Sequence, residues 1–283
     1  MTAVARSITI AFACSAAVLA AGLSALGASP SPGPMLSPSP TPASPAVASD
    51  APVERLTWQV VSTRPHDIAA WTEGLLLDGA GDLYESTGLE GQSTIRQVDP
   101  MTGAIIRSAA LPGGAYGEGL ALVDDRFLQL TWKDGLALVW DAATLSHTGS
   151  FSYTGEGWGL CYDGARLVQS DGSSTLTFRD PATFAILGTL PVTLQGQPVD
   201  QLNELECVDG SVWSNVWETP WIVRIDAQTG AITGALDTTG IIAADPGVDP
   251  NYLNGIAYDA ASDTFLLTGK LWPSMFEVRI GDS

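Results

Sequence analysis

Histidine and lysine are nearly missing from this chain: two of each, His66, His147, Lys133 and Lys270, in 283 residues. A Cys/His zinc cluster or a histidine-based triad is therefore hard to assemble. Cysteine is also scarce, with three residues, of which Cys14 lies in an N-terminal apolar run. Basic charge is outweighed, 12 Lys and Arg against 31 Asp and Glu, for a net charge of −19. That balance argues against nucleic acid and anionic membrane as partners, and an acidic surface suits a cationic ligand. No segment sustains a period of 3.6 residues, so the folded part is not expected to be helical.

Arg6 precedes an almost uncharged apolar run from Ile8 to Ala28. Residues 1–28 read as a secretory signal peptide cut near Ala28, or as an uncleaved anchor, since the run is long enough to span a bilayer. Cys14 lies too early in it for lipidation. Residues 29–52 are rich in Pro, Ser and Ala, a composition that cannot bury a core and reads as a spacer. The remaining 53–283 is long enough for one domain or one closed repeat array.

Within that stretch one short pattern returns five times: WTEGL, YGEGL, WGL, NEL and NGI. An Asp lies five residues after the key position in four copies (Asp78, Asp163, Asp209, Asp259) and one residue later, at Asp124, in the Glu118 copy. So aligned, Glu73, Glu118, Trp158, Glu204 and Asn254 are equivalents at intervals of 40 to 50 residues, a period that signals a solenoid, propeller or array. Asp-Gly turns at Asp78, Asp163 and Asp209 mark one hairpin of each unit. A second turn signal recurs at Asp99, Asp141, Asp180 and Asp226. Each unit then holds about four antiparallel strands, the blade of a β-propeller. The fold expected is all-β, with five blades at about 73–115, 118–154, 158–201, 204–250 and 254–280. The strand 56–63 has no blade of its own; joining the last blade, it would close the ring and remove exposed edges.

Cys161 and Cys207 follow their repeat keys at the same offset. They would form a disulfide if their α-carbons come within about 7 Å; the alternative, slightly favoured, is two buried thiols acting as small hydrophobes.

In a meander the start of the first strand and the end of the second lie on one side of the sheet. The key positions Glu73, Glu118, Trp158, Asn203–Glu204 and Asn254 should therefore meet the ends of the second strands. These carry Trp132, Lys133, Trp217, Glu218, Lys270 and Trp272. One rim collects carboxylates, tryptophans, Asn203 and both lysines. Trp58, Trp140 and Trp213 read as packing, and neither His66 nor His147 is assigned a role. Tryptophan walls over carboxylates suit a ligand with an ammonium group on an apolar or amide stem. A carboxylate of raised pKa can take a proton from an amine and return it to a leaving group. A lysine and an asparagine amide can hold an oxyanion. No Ser/His or Cys/His nucleophile is in evidence, so the attacking group belongs more naturally to the substrate.

At these residues the chain resembles the plant and bacterial type of glutaminyl cyclase, in the stretches WTEGLLLDG, LYESTGLEGQSTIRQVDP, GEGLALV, QLTWKDG, GEGWGLCYDG, LNELE, NVWET, LNGIAYD and LTGKLWP. The resemblance implies a five-bladed propeller and a reaction that closes an N-terminal glutamine of a peptide or protein into pyroglutamate, releasing ammonia. It implies Glu118 as general base and acid, and Lys270 and Asn203 as the groups that polarise the γ-carbonyl. Trp132, Trp158 and Trp217 are implied as pocket walls, Tyr116 and Trp71 at the rim, and Glu73 and Glu218 as contacts for amine or amide. Some members of the family carry Gln where Glu73 stands and Phe at Trp71 and Tyr116. No metal is expected in the reaction, and a structural cation in the axial channel has no motif to support it. The domain is expected to act as an extracytoplasmic monomer, secreted or attached to the cell envelope, and to meet a membrane only if the leader stays uncleaved. Two rivals stay open on residues alone. One is a non-catalytic propeller that binds peptide N-termini; the other is a metal-dependent propeller lactonase using a ring of Glu73, Glu118, Glu204 and Asn254.

Overall fold

The structure, a computed structural model, describes residues 52–245 and 247–282. The expected leader and nearly all of the spacer lie outside the described residues.

Strand β1 (Glu54–Pro65) comes first. A four-stranded sheet follows, β2 (Thr72–Leu77), β3 (Leu83–Thr87), β4 (Thr94–Val98) and β5 (Ile105–Ala110), hydrogen-bonded in that order. The next sheet is β6 (Gly117–Val123), β7 (Arg126–Thr131), β8 (Leu136–Asp141) and β9 (His147–Ser152), and the third is β10 (Leu160–Tyr162), β11 (Leu167–Gln169), β12 (Thr175–Arg179) and β13 (Ile186–Pro191). A two-stranded hairpin, β14 (Thr193–Leu194) and β15 (Gln197–Pro198), precedes β16 (Leu202–Val208), β17 (Ser211–Val216), β18 (Trp221–Asp226) and β19 (Ile232–Asp237). After one turn of helix (Thr239–Ile242) come β20 (Leu253–Asp259), β21 (Thr264–Gly269) and β22 (Ser274–Asp282). The last seven of these strands share an eight-stranded sheet with β1, which lies antiparallel to β22 and, through Glu54–Leu56, parallel to β19. The strand expected at 56–63 thus runs from 54 to 65 and is paired on both edges, a parallel contact that the repeat pattern did not announce.

Burial along a strand follows its place in the meander. The second strands β3 and β21 are buried at every residue, which is why they read as LYEST and TFLLTG with no solvent-facing charge. The fourth strands β5, β9 and β13 show residues to water along their length. The recurrent Asp turns do what the pattern suggested: Oδ1 of Asp141, Asp180 and Asp226 accepts both the backbone N–H and the hydroxyl of the Thr three residues on. Such Asx turns satisfy backbone donors that a tight hairpin leaves free.

The core is divided among neighbouring sheets. One cluster packs β3 and β4 against β6–β8 (Tyr84, Ile95, Phe127, Trp140); the next packs β6–β8 against β10 and β11 (Leu128, Leu130, Leu160, Leu167). Others join β10–β13 to β16–β19 (Val168, Leu176, Val212, Ile225) and β16–β19 to β20–β22 (Trp213, Leu236, Phe265, Phe276). The fifth returns to the start, setting Leu75 and Leu83 against Ala257, Leu266 and Met275. Trp140, expected as packing, is 1% exposed, and Trp213 packs with its ring 4.8 Å from Phe265.

Cys161 and Cys207 are joined in a disulfide, their α-carbons 5.5 Å apart. This corrects the leaning toward two thiols. Cys161 on β10 and Cys207 on β16 lie on neighbouring first strands, which packing brings within bonding range.

Candidate active site

The first strands carry the carboxylates and amides of the site, and four of the five are bent at the same place. In β2, β6, β16 and β20 the register with the second strand shifts between Thr72 and Gly74, Gly117 and Leu120, Leu202 and Leu205, and Leu253 and Ile256. A bulge opposes two residues to one and re-aims a side chain; here the bulges hold Glu73, Glu118–Gly119, Asn203–Glu204 and Asn254–Gly255. The registers also correct the alignment read from the Asp spacing. Leu75, Leu120, Leu160, Leu205 and Ile256 occupy one level, paired with Glu85, Gln129, Gln169, Ser214 and Leu267. Two residues before that level stand Glu73, Glu118, Trp158, Asn203 and Asn254, so Asn203 is the true equivalent. Glu204 occupies the place that is glycine in the other four strands. The Asp209 hairpin is one residue longer than the spacing assumed, as the Asp124 hairpin is.

Neighbouring strands touch around this level. Gly119 N donates to Trp158 O at 2.6 Å, and Asn254 Nδ2 donates to Thr72 O at 3.0 Å. Ser170 Oγ donates to Asn203 O at 2.6 Å, and Gly255 N donates to Asn215 Oδ1 at 3.2 Å. The approach is close enough to require glycine: a Cβ on Gly119 would lie 2.4 Å from Leu160 N, and one on Gly159 2.1 Å from Asn203 O.

Glu73, 1% exposed, is the hub of the charged groups. It accepts from Tyr116 Oη at 2.8 Å, from Asn254 Nδ2 at 3.0 Å and from Lys270 Nζ, which lies 2.8 Å from either oxygen. Lys270 is itself buried and lies 5.4 Å from the Trp71 ring. Burial pushes the Glu73 carboxyl above its ordinary range, and the Lys270 ammonium opposes that rise without cancelling it. Glu118, 5% exposed, makes no side-chain hydrogen bond to any described residue. Burial, then the like charges of Glu73 and Glu156, hold its pKa well above the usual carboxylate value, against the pull of Lys270. Asn203 is 3% exposed, and its Oδ1 has no hydrogen-bond partner. Glu204 takes the bland course open to any buried glutamate here: its oxygens accept from Leu75 N at 3.2 Å and Ile256 N at 2.9 Å, strapping two first strands together.

Aromatic rings stand around these groups. Tyr116 and Trp132 have centroids 5.5 Å apart, Trp158 and Trp217 meet edge to face at 5.6 Å, and Trp71 lies 5.3 Å from Tyr252. Trp217 is exposed, while Trp158 packs its ring over Gly172, where a Cβ would lie 2.7 Å from the indole. Glu218 is not brought into the set. It is exposed, in a left-handed turn after β17 (φ 58°), with no side-chain contact to the other site residues. Sequence reasoning missed Glu156, whose carboxylate accepts from the indoles of both Trp132 and Trp158. Its position two residues before Trp158 was the available signal. It also missed Asn254 as a partner of Glu73, and the role of His66. That histidine is buried and bonds Trp272 O at 2.7 Å and Glu85 at 3.1 Å, tethering the segment that carries Lys270. Among the described residues no group of three or more His, Cys, Asp or Glu is placed to hold a metal ion. Glu204, one member of the ring a metal-dependent lactonase would use, is spent on backbone donors.

The arrangement offers a proton acceptor of raised pKa, a buried ammonium on a carboxylate, a buried amide and indole walls. A sequence model described as glutamine cyclotransferase matches residues 35–280. A glutaminyl-peptide cyclotransferase of Arabidopsis thaliana is 37% identical over 228 residues, 78% of this chain and 71% of that protein. The solved glutaminyl cyclase of Myxococcus xanthus is 38% identical, with a TM-score of 0.76, covering 82% of this chain and all of the other. The resemblance read from the sequence motifs is borne out.

Proposed function

The chain belongs to the glutamine cyclotransferase family, whose reaction turns N-terminal glutamine into pyroglutamate, and we propose that Glu118, Lys270 and Asn203 carry that reaction here without a metal. The α-amine of the bound glutamine attacks its own δ-carbon. Nucleophile and electrophile share one residue, so the site must fold the side chain toward the amine and move protons. Glu118 takes a proton from the α-ammonium. Burial and Glu73 keep its pKa high enough for it to hold that proton and return it to departing ammonia. Lys270 retains an N–H beyond those it gives to Glu73, and with the Asn203 amide it receives the oxyanion. Trp132, Trp158 and Trp217 wall the glutamine, with Tyr116 and Trp71 at the rim. Glu73 orients Lys270, and Glu218 meets the peptide only beyond its first residue.

The observation that supports this most is the burial of Lys270 on Glu73, 197 residues away in sequence, beside a glutamate with no partner of its own. The same reading takes the sheets as five blades of a propeller closed by β1. It is supported by the core clusters, which link each four-stranded unit to the next and the last to the first. Residues 1–28 as leader, 29–52 as spacer, 53–283 as catalytic domain and an extracytoplasmic monomer complete the proposal.

The test is ammonia release from a short Gln-peptide, with and without chelator. Lys270→Ala and Glu118→Gln are expected to fold and to lose activity by orders of magnitude, and an N-acetylated peptide is expected not to react. Normal turnover in either variant removes that residue from the mechanism, and loss of activity in chelator overturns the metal-free assignment. The peptide-binding rival predicts no ammonia from the native protein.

A further inference from the structure

Glu156 lies between β9 and β10, at the edge of the site, and has no part in the proposed reaction beyond its weak charge effect on Glu118. Its Oε2 accepts two indole N–H groups at once, from Trp132 at 2.8 Å and from Trp158 at 3.1 Å, and its Oε1 lies 3.5 Å from Lys133 Nζ. Lys133 in turn sits 3.6 Å above the Trp132 ring. The two tryptophans come from different meanders, one at the end of β7, the other at the start of β10. Each indole has a single donor, and a carboxylate oxygen can accept two. Sharing one oxygen therefore fixes the two rings against each other as well as against the backbone. The backbone of the Glu156 segment is held separately, through Gly157 N to Trp132 O at 3.0 Å and Gln169 Nε2 to Glu156 O at 3.3 Å. The carboxylate is thus not needed to place its own loop.

We propose that Glu156 is a positioning residue that clamps Trp132 and Trp158 as a pre-set pair of walls for the N-terminal residue of the substrate. Both rings are only half-buried, so core packing alone does not dictate their orientation. Without an acceptor each would rotate about its side-chain torsions, and binding would bear the entropy of ordering them. Glu156 hydrogen-bonds the indoles and touches no reacting atom; its charge also adds, as the smallest contribution, to the field that raises Glu118. Ala and Gln both remove that charge, so the difference in KM between the two variants reads the clamp. The inference rests on the cyclase reading for its substrate, but the clamp itself is open to observation without turnover.

The test uses the full chain with Glu156→Ala and Glu156→Gln. Indole N–H resonances in ¹⁵N spectra, assigned with Trp132→Phe and Trp158→Phe, report the clamp directly. Both resonances should move in Glu156→Ala and should move less in Glu156→Gln, which keeps an acceptor oxygen. In kinetics with a Gln-peptide, Glu156→Ala should raise KM about tenfold or more with kcat within about threefold, and Glu156→Gln should recover most of the KM. Unmoved indole resonances overturn the clamp, whether or not the protein is active. A KM within about twofold of wild type in Glu156→Ala, or the same rise of KM in Glu156→Gln as in Glu156→Ala, overturns the positioning role. Lack of turnover by the native protein, with the indole shifts present, would instead count against the cyclase reading alone.

Discussion

Replacing Glu73 by Gln tests whether the site behaves as one set of interacting charges. The substitution keeps the side chain's length and an acceptor oxygen for Tyr116 or Lys270, and the family resemblance places Gln at this position in other members, so the fold should accept it. What disappears is a negative charge, 1% exposed, that ranks next to burial among the causes of the raised Glu118 pKa. Unit charges a few ångströms apart at an effective dielectric near 20 interact by about 2–4 kcal/mol. Lys270, no longer neutralised, pulls in the same direction. The Glu118 titration should therefore fall toward the ordinary carboxylate range. The sign follows from the role: a general base works ionised, so rate rises as pH passes upward through its pKa, and a lower pKa moves that acid limb to lower pH. The assay is kcat/KM for ammonia release from a Gln-peptide between about pH 4 and 9, wild type against Glu73→Gln. The substrate's own ammonium titrates identically with both enzymes, so the difference reports the protein. An acid limb that stays in place, or moves upward, would refute the coupling of Glu73 to Glu118.

Two further outcomes follow from groups outside the chemistry. The Cys161–Cys207 disulfide closes a loop of 46 residues, so the Cys161→Ser/Cys207→Ser double variant should lose at most about 4 kcal/mol of stability in denaturant titration, with kcat and KM kept. The buried His66–Glu85–Arg96 network makes stability bell-shaped in pH. Burial opposes ionisation of Glu85, but His66, Arg96 and Thr72 outweigh it and hold its pKa at about 2, from an ordinary 4.5. That contribution is present above 4.5 and is lost as pH falls toward 2. Burial likewise opposes the charge on His66, yet Glu85 and the Trp272 carbonyl leave its pKa raised from 6.5. Its contribution is present below 6.5 and is lost as pH rises through the folded value. Thermal melts of wild type and His66→Gln should converge on the alkaline side; a constant gap would refute the linkage.

Much of this was legible because the repeat is written in turn chemistry. Asp78, Asp141, Asp180 and Asp226 accept the turn donors that their spacing announced, and the lone strand at 56–63 found its partner in β22. The site was legible as a set of residue types at first-strand starts, where Glu73, Glu118 and Asn203 were read, and at second-strand ends, where Lys270 was read. What failed was counting by one. Glu204 was aligned with Glu118 because Asp209 follows it by the common interval, but the bulge in β16 places Asn203 at that level. A bulge is a register event between two strands, and a single strand's sequence does not record it. The choice between a Cys161–Cys207 bond and two thiols was left open, and the Glu156 clamp and the Asn254–Glu73 bond were hidden, for a related reason. Each joins different meanders, and inter-sheet distance is fixed by packing, not by spacing along the chain.

Glu118 and Glu204 make the difference between a structural carboxylate and the one proposed to carry the proton measurable. Both are buried, and both have pKa values raised first of all by that burial. Glu204 offsets the cost with two backbone N–H donors, from Leu75 and Ile256. Glu118 has no donor from the described residues. Burial without protein donors makes the charged form of a carboxylate costly, and such a cost is characteristic of reactive positions. The folded pKa of Glu118 lies above its unfolded value, so the folded state holds the extra proton and stability falls as pH rises between the two values. Glu118→Gln removes the titration. That variant should melt above the wild type at neutral pH, with the gap closing as pH drops below about 4.5, while its activity is lost. Glu204→Gln should give no such gain, because one of its two backbone donors then faces an amide N–H₂. A Glu118→Gln protein less stable than wild type at neutral pH would show that the carboxylate serves the fold, and the assignment of Glu118 as the proton carrier would lose its physical basis.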